Sequence, residues 1–255
     1  MRLGKALAVI AFAGAAVFTI GAQQKPAHIM DIEFQTPKNG MIKQYEAGRK
    51  AKADWHKSKN DPRPLWVWET MTGDHTGTYI VGSPAVTWKE MDTPPISEDM
   101  DQDMWQRTMG DYTEKLVAQY YEHQADLSWP SDEKMPAKFS EVITFNVHQG
   151  KTEAFLASIK KINAAISKAK WGSHYNFYGL THGGSPNTFV LVVDHPNYAD
   201  FADPAKSFMQ LLTESMGGKE AAATFMKTMD ATIDSSDAQI IKFRADLSYI
   251  PDAMK

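Results

Sequence analysis

The strongest constraint on the fold is that the second half of the chain echoes the first. The segment Ala-Asp-Leu-Ser at 125–128 recurs at 245–248, a spacing of 120. Further upstream, Thr-Tyr-Ile-Val at 78–81 is matched by Thr-Phe-Val-Leu at 188–191, a spacing of 110 that Gly40 and Gly150 also keep. Matches in the same order along a chain predict two copies of one structural unit.

The same order of elements is predicted in each half. Alternating apolar residues around 30–34 and 143–147 indicate a first strand, and apolar residues at helical spacing over 155–169 indicate a helix. Two hairpins follow, at 65–81 and 175–193, and then helices over 99–116 and 205–232, the latter interrupted at Gly217-Gly218. The repeated Ala-Asp-Leu-Ser segment is predicted to lie in the strand that closes each half.

The order β-α-β-β-α-β is the ferredoxin-like motif, so the predicted fold class is α+β. We expect one unit at 23–130, a linker at 131–137 and a second unit at 138–255. Because two helices cover only one face of a four-stranded sheet, the other face needs a partner. We therefore expect the two units to pack sheet to sheet as a pseudo-dimeric α/β barrel.

This organisation resembles the dimeric α/β-barrel superfamily, which includes antibiotic-biosynthesis-type monooxygenases and NIPSNAP-like proteins. The resemblance rests on the element order, on Gly40 and Gly150 before the first helices, and on the aromatic segments 88–91 and 198–201 that follow a strand. It implies a fused tandem protein that is a monomer or a weak homodimer. Relatives in the superfamily include cofactor-independent monooxygenases and haem-degrading enzymes, which would make His123 the candidate catalytic proton carrier.

Composition and motifs exclude several classes of function. With 27 Lys and Arg against 31 Asp and Glu, the chain has no basic excess for nucleic acid. It contains no Cys, no His-Glu-x-x-His pair and no Gly-rich phosphate loop with its Lys, so we predict no metal site and no cofactor. It also lacks the Gly-x-Ser-x-Gly elbow of many hydrolases.

The first 22 residues are typical of a secretory signal peptide. Arg2 and Lys5 precede an uncharged apolar run over 6–20, and Ala22 provides a small residue for cleavage. We therefore predict a periplasmic or secreted protein that has no membrane segment once the signal is removed.

Candidate site residues emerge where the two halves differ. At a spacing of 120, Tyr121 and His123 stand where the second half has Ile241 and Phe243. On the first helix, the second-half stripe of three Ile at 159, 162 and 166 corresponds to Arg49, Lys52 and His56, or after a one-residue slip to Gly48, Ala51 and Trp55. Six of the seven Trp lie in the first half, at 55, 66, 68, 88, 105 and 129.

Two interpretations of these differences remain open. In one, the Trp rings simply fill the first-half core. In the other, a pocket between the first-half sheet and its helices binds a small molecule. The predicted ligand-binding residues are Trp66, Trp68, Tyr121, His123, Tyr45 and Arg49.

Three functions follow from these interpretations. The first is an exported protein that binds a small molecule in the first-half pocket. The second, implied by the resemblance, is a cofactor-independent monooxygenase or a haem-degrading-type enzyme. The third is a structural or interaction protein that has no ligand.

Overall fold

The computed structural model describes residues 26–202 and 204–254, which form nine strands and six α-helices. The strands are β1 (His28–Pro37), β2 (Trp66–Thr70), β3 (Tyr79–Gly82), β4 (Val86–Thr87), β5 (Thr113–His123), β6 (Phe139–Val147), β7 (Tyr175–His182), β8 (Thr188–His195) and β9 (Ile233–Phe243). The helices are α1 (Ile42–Ser58), α2 (Trp88–Met91), α3 (Glu98–Thr108), α4 (Thr152–Ala169), α5 (Phe208–Met216) and α6 (Lys219–Asp230).

Eight of the strands form one closed antiparallel barrel. Around it the order is β1, β3, β2, β9, β6, β8, β7 and β5, and β5 pairs again with β1. The short β4 pairs only with the start of β1. Closure satisfies the backbone groups that an open sheet would leave at its edges.

The predicted arrangement of two ferredoxin-like units packed sheet to sheet is therefore wrong. Strands from the two halves are hydrogen-bonded neighbours at two seams, where β2 pairs with β9 and β5 pairs with β7. Trp68 lies opposite Phe243 at one seam, and His123 lies opposite Tyr178 at the other. The halves share one sheet because strand pairing, rather than stacking of sheet faces, joins them.

The Ala-Asp-Leu-Ser segments do not lie in strands, contrary to the prediction. Ala125–Leu127 forms a short 3-10 turn after β5, and the equivalent segment follows β9. The hydroxyl of Ser128 accepts a hydrogen bond from the backbone N–H of Phe177 in β7 at 2.9 Å, and that of Ser248 accepts one from Val67 in β2 at 2.9 Å. Each segment is thus hydrogen-bonded to a strand of the other half.

The two long helices bury very different faces against the outside of the barrel. Helix α4 buries Phe155 and the Ile stripe within the largest apolar cluster. Helix α1 buries Tyr45, Gly48, Arg49, Lys52 and His56, so the structure matches the polar register rather than the one-residue slip.

Two helix boundaries show what local sequence can predict. The break predicted at Gly217-Gly218 is confirmed, because Gly217 ends α5 in the left-handed conformation at φ 82°. The helix predicted over 99–116 is too long, since α3 ends at Thr108 and β5 begins at Thr113.

The predicted signal peptide at 1–22 lies outside the described residues, and export stays a prediction. Within the described ranges, no helix combines the length and the apolar character needed to cross a membrane.

Candidate functional site

The interior of the barrel contains a cavity of about 1000 Å³. Alternate residues of each strand point inward, so β1 contributes Met30, Ile32 and Phe34, while Gln35 on its outer side accepts a hydrogen bond from Tyr45 of α1. Strands of both halves line the cavity. The segment 130–138, between β5 and β6, crosses one end of the cavity, and all of its residues except Asp132 line it. A cavity of this size can enclose a drug-sized molecule.

Strand β2 supplies an aromatic wall. Trp66 and Trp68 both face the cavity because they lie two residues apart, while Val67 between them is buried on the outer side. The ring centres of Trp66 and Trp68 are 6.0 Å apart in an edge-to-face arrangement, and Trp68 lies 6.0 Å from Phe243. The indole N–H of Trp66 has no hydrogen-bond partner in the described part of the chain.

His123 is the imidazole that β5 places in the cavity. Its Nε2 lies 3.1 Å from Oδ1 of Asn176, and its ring centre lies 5.2 Å from that of Tyr178. Burial lowers the pKa of His123 below 6.5, against the opposing effect of the Asn176 hydrogen bond. The imidazole is therefore neutral near pH 7. With Asn176 Oδ1 accepting from Nε2, the free lone pair is on Nδ1.

Tyr121 occupies the neighbouring inward position of β5. Its hydroxyl donates to Oε1 of Gln119 at 2.6 Å. Because the ring is buried, the pKa of Tyr121 rises to about 12, and the phenol keeps its proton at neutral pH. Tyr121 can therefore contribute a polar contact but not a base.

The prediction missed the polar residues that the second half adds to the same cavity, among them Ser140, Asn176, Tyr178 and Asp194. Burial raises the pKa of Asp194 above its usual 3.8. One signal could have revealed Asp194, because it is a charged residue on the inward side of the apolar run Phe189–Val193. Asn176 and Tyr178 became recognisable only once β7 was known to pair with β5.

Tyr45 and Arg49 do not line this cavity. They are buried on the outer side of the barrel, where the Tyr45 hydroxyl donates to Oε1 of Gln35 at 2.7 Å and Arg49 Nη1 lies 3.9 Å from the sulfur of Met109. The pocket expected between the first-half sheet and its helices is thus displaced to the inside of the barrel. Trp66, Trp68, Tyr121 and His123 share that interior because the sheet closes around their common face.

The comparisons with known proteins give matches to solved structures only. No family profile matches the sequence, and no curated protein matches it. A proposed monooxygenase from Lactobacillus acidophilus superposes with a TM-score of 0.55 at 12% identity, covering 85% of this chain and 94% of that one. A proposed monooxygenase from Fusobacterium nucleatum gives 0.57 at 10% identity, covering 86% and 93%.

An anthrone oxidase-like protein gives a TM-score of 0.55 at 9% identity and covers 89% of this chain and 95% of that one. Chlorite dismutase from Candidatus Nitrospira defluvii is also among the neighbours, with 0.50 at 8% identity and coverage of 88% and 94%. Identities this low establish similarity of fold alone. The likeness to solved monooxygenase-like proteins is therefore a likeness of fold, and a fused tandem repeat is not confirmed.

Proposed function

We propose that the protein is a monooxygenase-type enzyme that oxidises a planar, enolisable aromatic molecule inside the barrel without a bound cofactor. The observation that carries the proposal is the neutral imidazole of His123, held by Asn176 in a cavity with aromatic walls. A base that is neutral at pH 7 and oriented by a hydrogen bond is suited to remove a proton from carbon.

The chemistry needs only the substrate, oxygen and a base. His123 takes a proton from an activated CH₂ group, and the resulting carbanion adds O₂ to give a hydroperoxide after the proton is returned. Loss of water then leaves a ketone, so that CH₂ and O₂ become C=O and H₂O. Trp66 and Trp68 provide flat apolar surfaces against which an aromatic substrate can stack.

The fold neighbours support this choice over simple ligand binding. Two are proposed monooxygenases and one is an anthrone oxidase-like protein. An anthrone carries a CH₂ group between two aromatic rings and is therefore a suitable test substrate.

The experiment measures oxygen consumption with anthrone for the wild type and for His123→Phe. Phenylalanine stands 120 residues later, at Phe243, which makes it a reasonable replacement in a strand of this barrel. We expect His123→Phe to fold and to lose at least about 100-fold in kcat, since proton transfer by a positioned base contributes on that order. His148→Phe is the matched control, because His148 is half-exposed outside the cavity and lies 3.4 Å from Asp234.

Unchanged turnover in His123→Phe would remove His123 from the mechanism. Binding of anthrone by the wild type without oxygen consumption would instead favour a binding protein.

A further inference from the structure

The carboxylates and imidazoles of the cavity gather at one end of the barrel. They lie where β5 and β8 end and where β6 and β7 begin, beside residues 130–138. His123, His174, Glu133, Asp194 and Asp200 are the members of this set. The middle of the cavity is formed by Ile32, Ile80, Val142, Val190 and Ile241. A ligand that fits both regions has an apolar body and a polar edge.

Asp194 is the carboxyl of this set that sits in a strand. It lies directly opposite Ser140 in the pairing of β8 with β6, and the buried Ser140 hydroxyl donates to its Oδ1 at 3.4 Å. Within residues 26–202 and 204–254, no Lys or Arg forms an ion pair with Asp194. A partly buried carboxyl that has one weak hydrogen bond and no cation retains the capacity to bind a ligand group.

Asn176 lies on β7, the strand between β5 with His123 and β8 with Asp194. The side chain of Asn176 is hydrogen-bonded to His123, and its cross-strand partner on β8 is Val192. Asp194 lies two residues beyond Val192 on the same face. Asn176 and Asp194 are therefore diagonal neighbours on adjacent strands, a relation in which the Cα atoms are about 7–8 Å apart. His123 and Asp194 therefore flank Asn176 and face the same space from two sides.

We propose that Asp194 is the second catalytic group of this site. It binds the oxygen of a cyclic aromatic ketone or phenol, while His123 accepts a proton from the carbon on the opposite side of the same ring. This assignment rests on the proposed function and defines its substrate class. When the ketone becomes the enol, His123 gains the proton from carbon, and the protonated form of the Asp194 carboxyl gives its proton to the oxygen. When the enol then adds O₂ at carbon, its hydroxyl proton returns to Asp194 and the His123 proton passes to the peroxide, so oxygen is the only other reactant.

The surroundings of Asp194 favour this role. Burial is the largest influence and raises its pKa, while the Ser140 hydrogen bond and the charges of His174 and His195 act in the opposite direction. The carboxyl accordingly holds its proton to a higher pH than an exposed Asp does, whereas His123 releases its proton more readily than an exposed His does.

The first test compares the binding of 2-naphthol and 2-methylnaphthalene by equilibrium dialysis. The two probes have the same rings, and only the first has a hydroxyl. We expect the wild type to prefer 2-naphthol, and Asp194→Val to weaken 2-naphthol about tenfold while leaving 2-methylnaphthalene within about twofold. Asp237→Val is the matched control, because Asp237 is an exposed residue of β9 outside the cavity.

The second test uses Asp194→Asn, which preserves size and the bond from Ser140. The amide still binds the hydroxyl of 2-naphthol but cannot give up a proton in this way, so we expect nearly unchanged binding and at least about tenfold lower oxygen consumption with anthrone.

The inference is overturned if Asp194→Val leaves the preference for 2-naphthol intact, if the wild type consumes oxygen and Asp194→Asn consumes it equally fast, or if the wild type binds neither probe. Failure of the proposed function looks different. In that case the wild type consumes no oxygen, while Asp194→Val still abolishes the preference between the two probes.

Discussion

At the scale of single residues, the most unusual feature is a cluster of ionisable side chains on the inner side of α1, most of them buried. His56 Nδ1 lies 2.9 Å from Asp61 Oδ2, and its Nε2 lies 3.2 Å from Asp101 Oδ1. Lys52 also pairs with Asp101, at 2.5 Å. Burial alone would lower the pKa of His56, but the carboxylates of Asp101 and Asp61 beside its two ring nitrogens outweigh it and raise that pKa above 6.5.

These shifts predict how stability depends on pH. Because the folded pKa of His56 is raised, its stabilisation is complete below pH 6.5 and is lost as the pH rises through the folded pKa. Burial would raise the pKa of Asp101, but His56 and Lys52 lower it to about 2, so its stabilisation is present above pH 3.8 and is lost as the pH falls toward 2. The cluster therefore stabilises the fold most between roughly pH 4 and 6.5.

Urea unfolding of the wild type and of His56→Ile at pH 6 and pH 8 tests this prediction. We expect the wild type to lose more stability than the variant between these pH values. His148→Asn should behave like the wild type, because His148 is half-exposed. An identical decline in all three proteins would show that His56 is not responsible.

At the scale of elements, the packing of α1 against α3 depends on Gly48. A Cβ at this position would collide with the backbone carbonyl of Thr108 at the end of α3. Helix propensity by itself favours Ala over Gly by about 1 kcal/mol, so sequence-based reasoning would replace Gly48 without concern. The tertiary contact reverses that preference.

Gly48→Ala should accordingly destabilise the protein by about 1–3 kcal/mol, since the collision involves backbone that cannot rotate away. Gln44→Ala, on the exposed side of the same helix, should change the free energy of unfolding by less than about 0.5 kcal/mol. Chemical denaturation measures both. A more stable Gly48→Ala protein would mean that α3 moves freely away from α1.

At the scale of the whole molecule, closure of the barrel makes the two halves one folding unit. The seams consist of the β2–β9 and β5–β7 pairings, and Arg244 adds contacts of 2.7 Å to both Glu46 and Glu69 across the first of them. Unfolding one half would expose the strand edges and the interior of the other.

Fluorescence can test whether the two halves unfold as one cooperative unit, because Trp171 is the one Trp outside the first half. In Trp171→Phe, all indole emission comes from the first half, whereas far-UV circular dichroism reports on both. We expect the two signals to give the same urea midpoint, as a cooperative unit requires. Two separate midpoints would indicate halves that unfold independently.

The amino-acid sequence by itself determined most of the helices and strands, though not all of their ends, and which side chains share a face. Two-residue spacing placed Trp66 with Trp68 and Tyr121 with His123, and helical spacing predicted the buried stripe of α4. These features depend on the local geometry of the backbone, which a short segment already contains.

Only the tertiary structure decided which strands become neighbours and which face of the sheet is enclosed. The pairing of β5 with β7 brings Asn176 to His123, and the pairing of β6 with β8 brings Ser140 to Asp194. The tertiary structure also placed Tyr45 and Arg49 on the outer side of the barrel. Strand partners are distant along the chain, and several pairings can satisfy the same alternating pattern, so the arrangement is selected by closure and packing of the complete sheet.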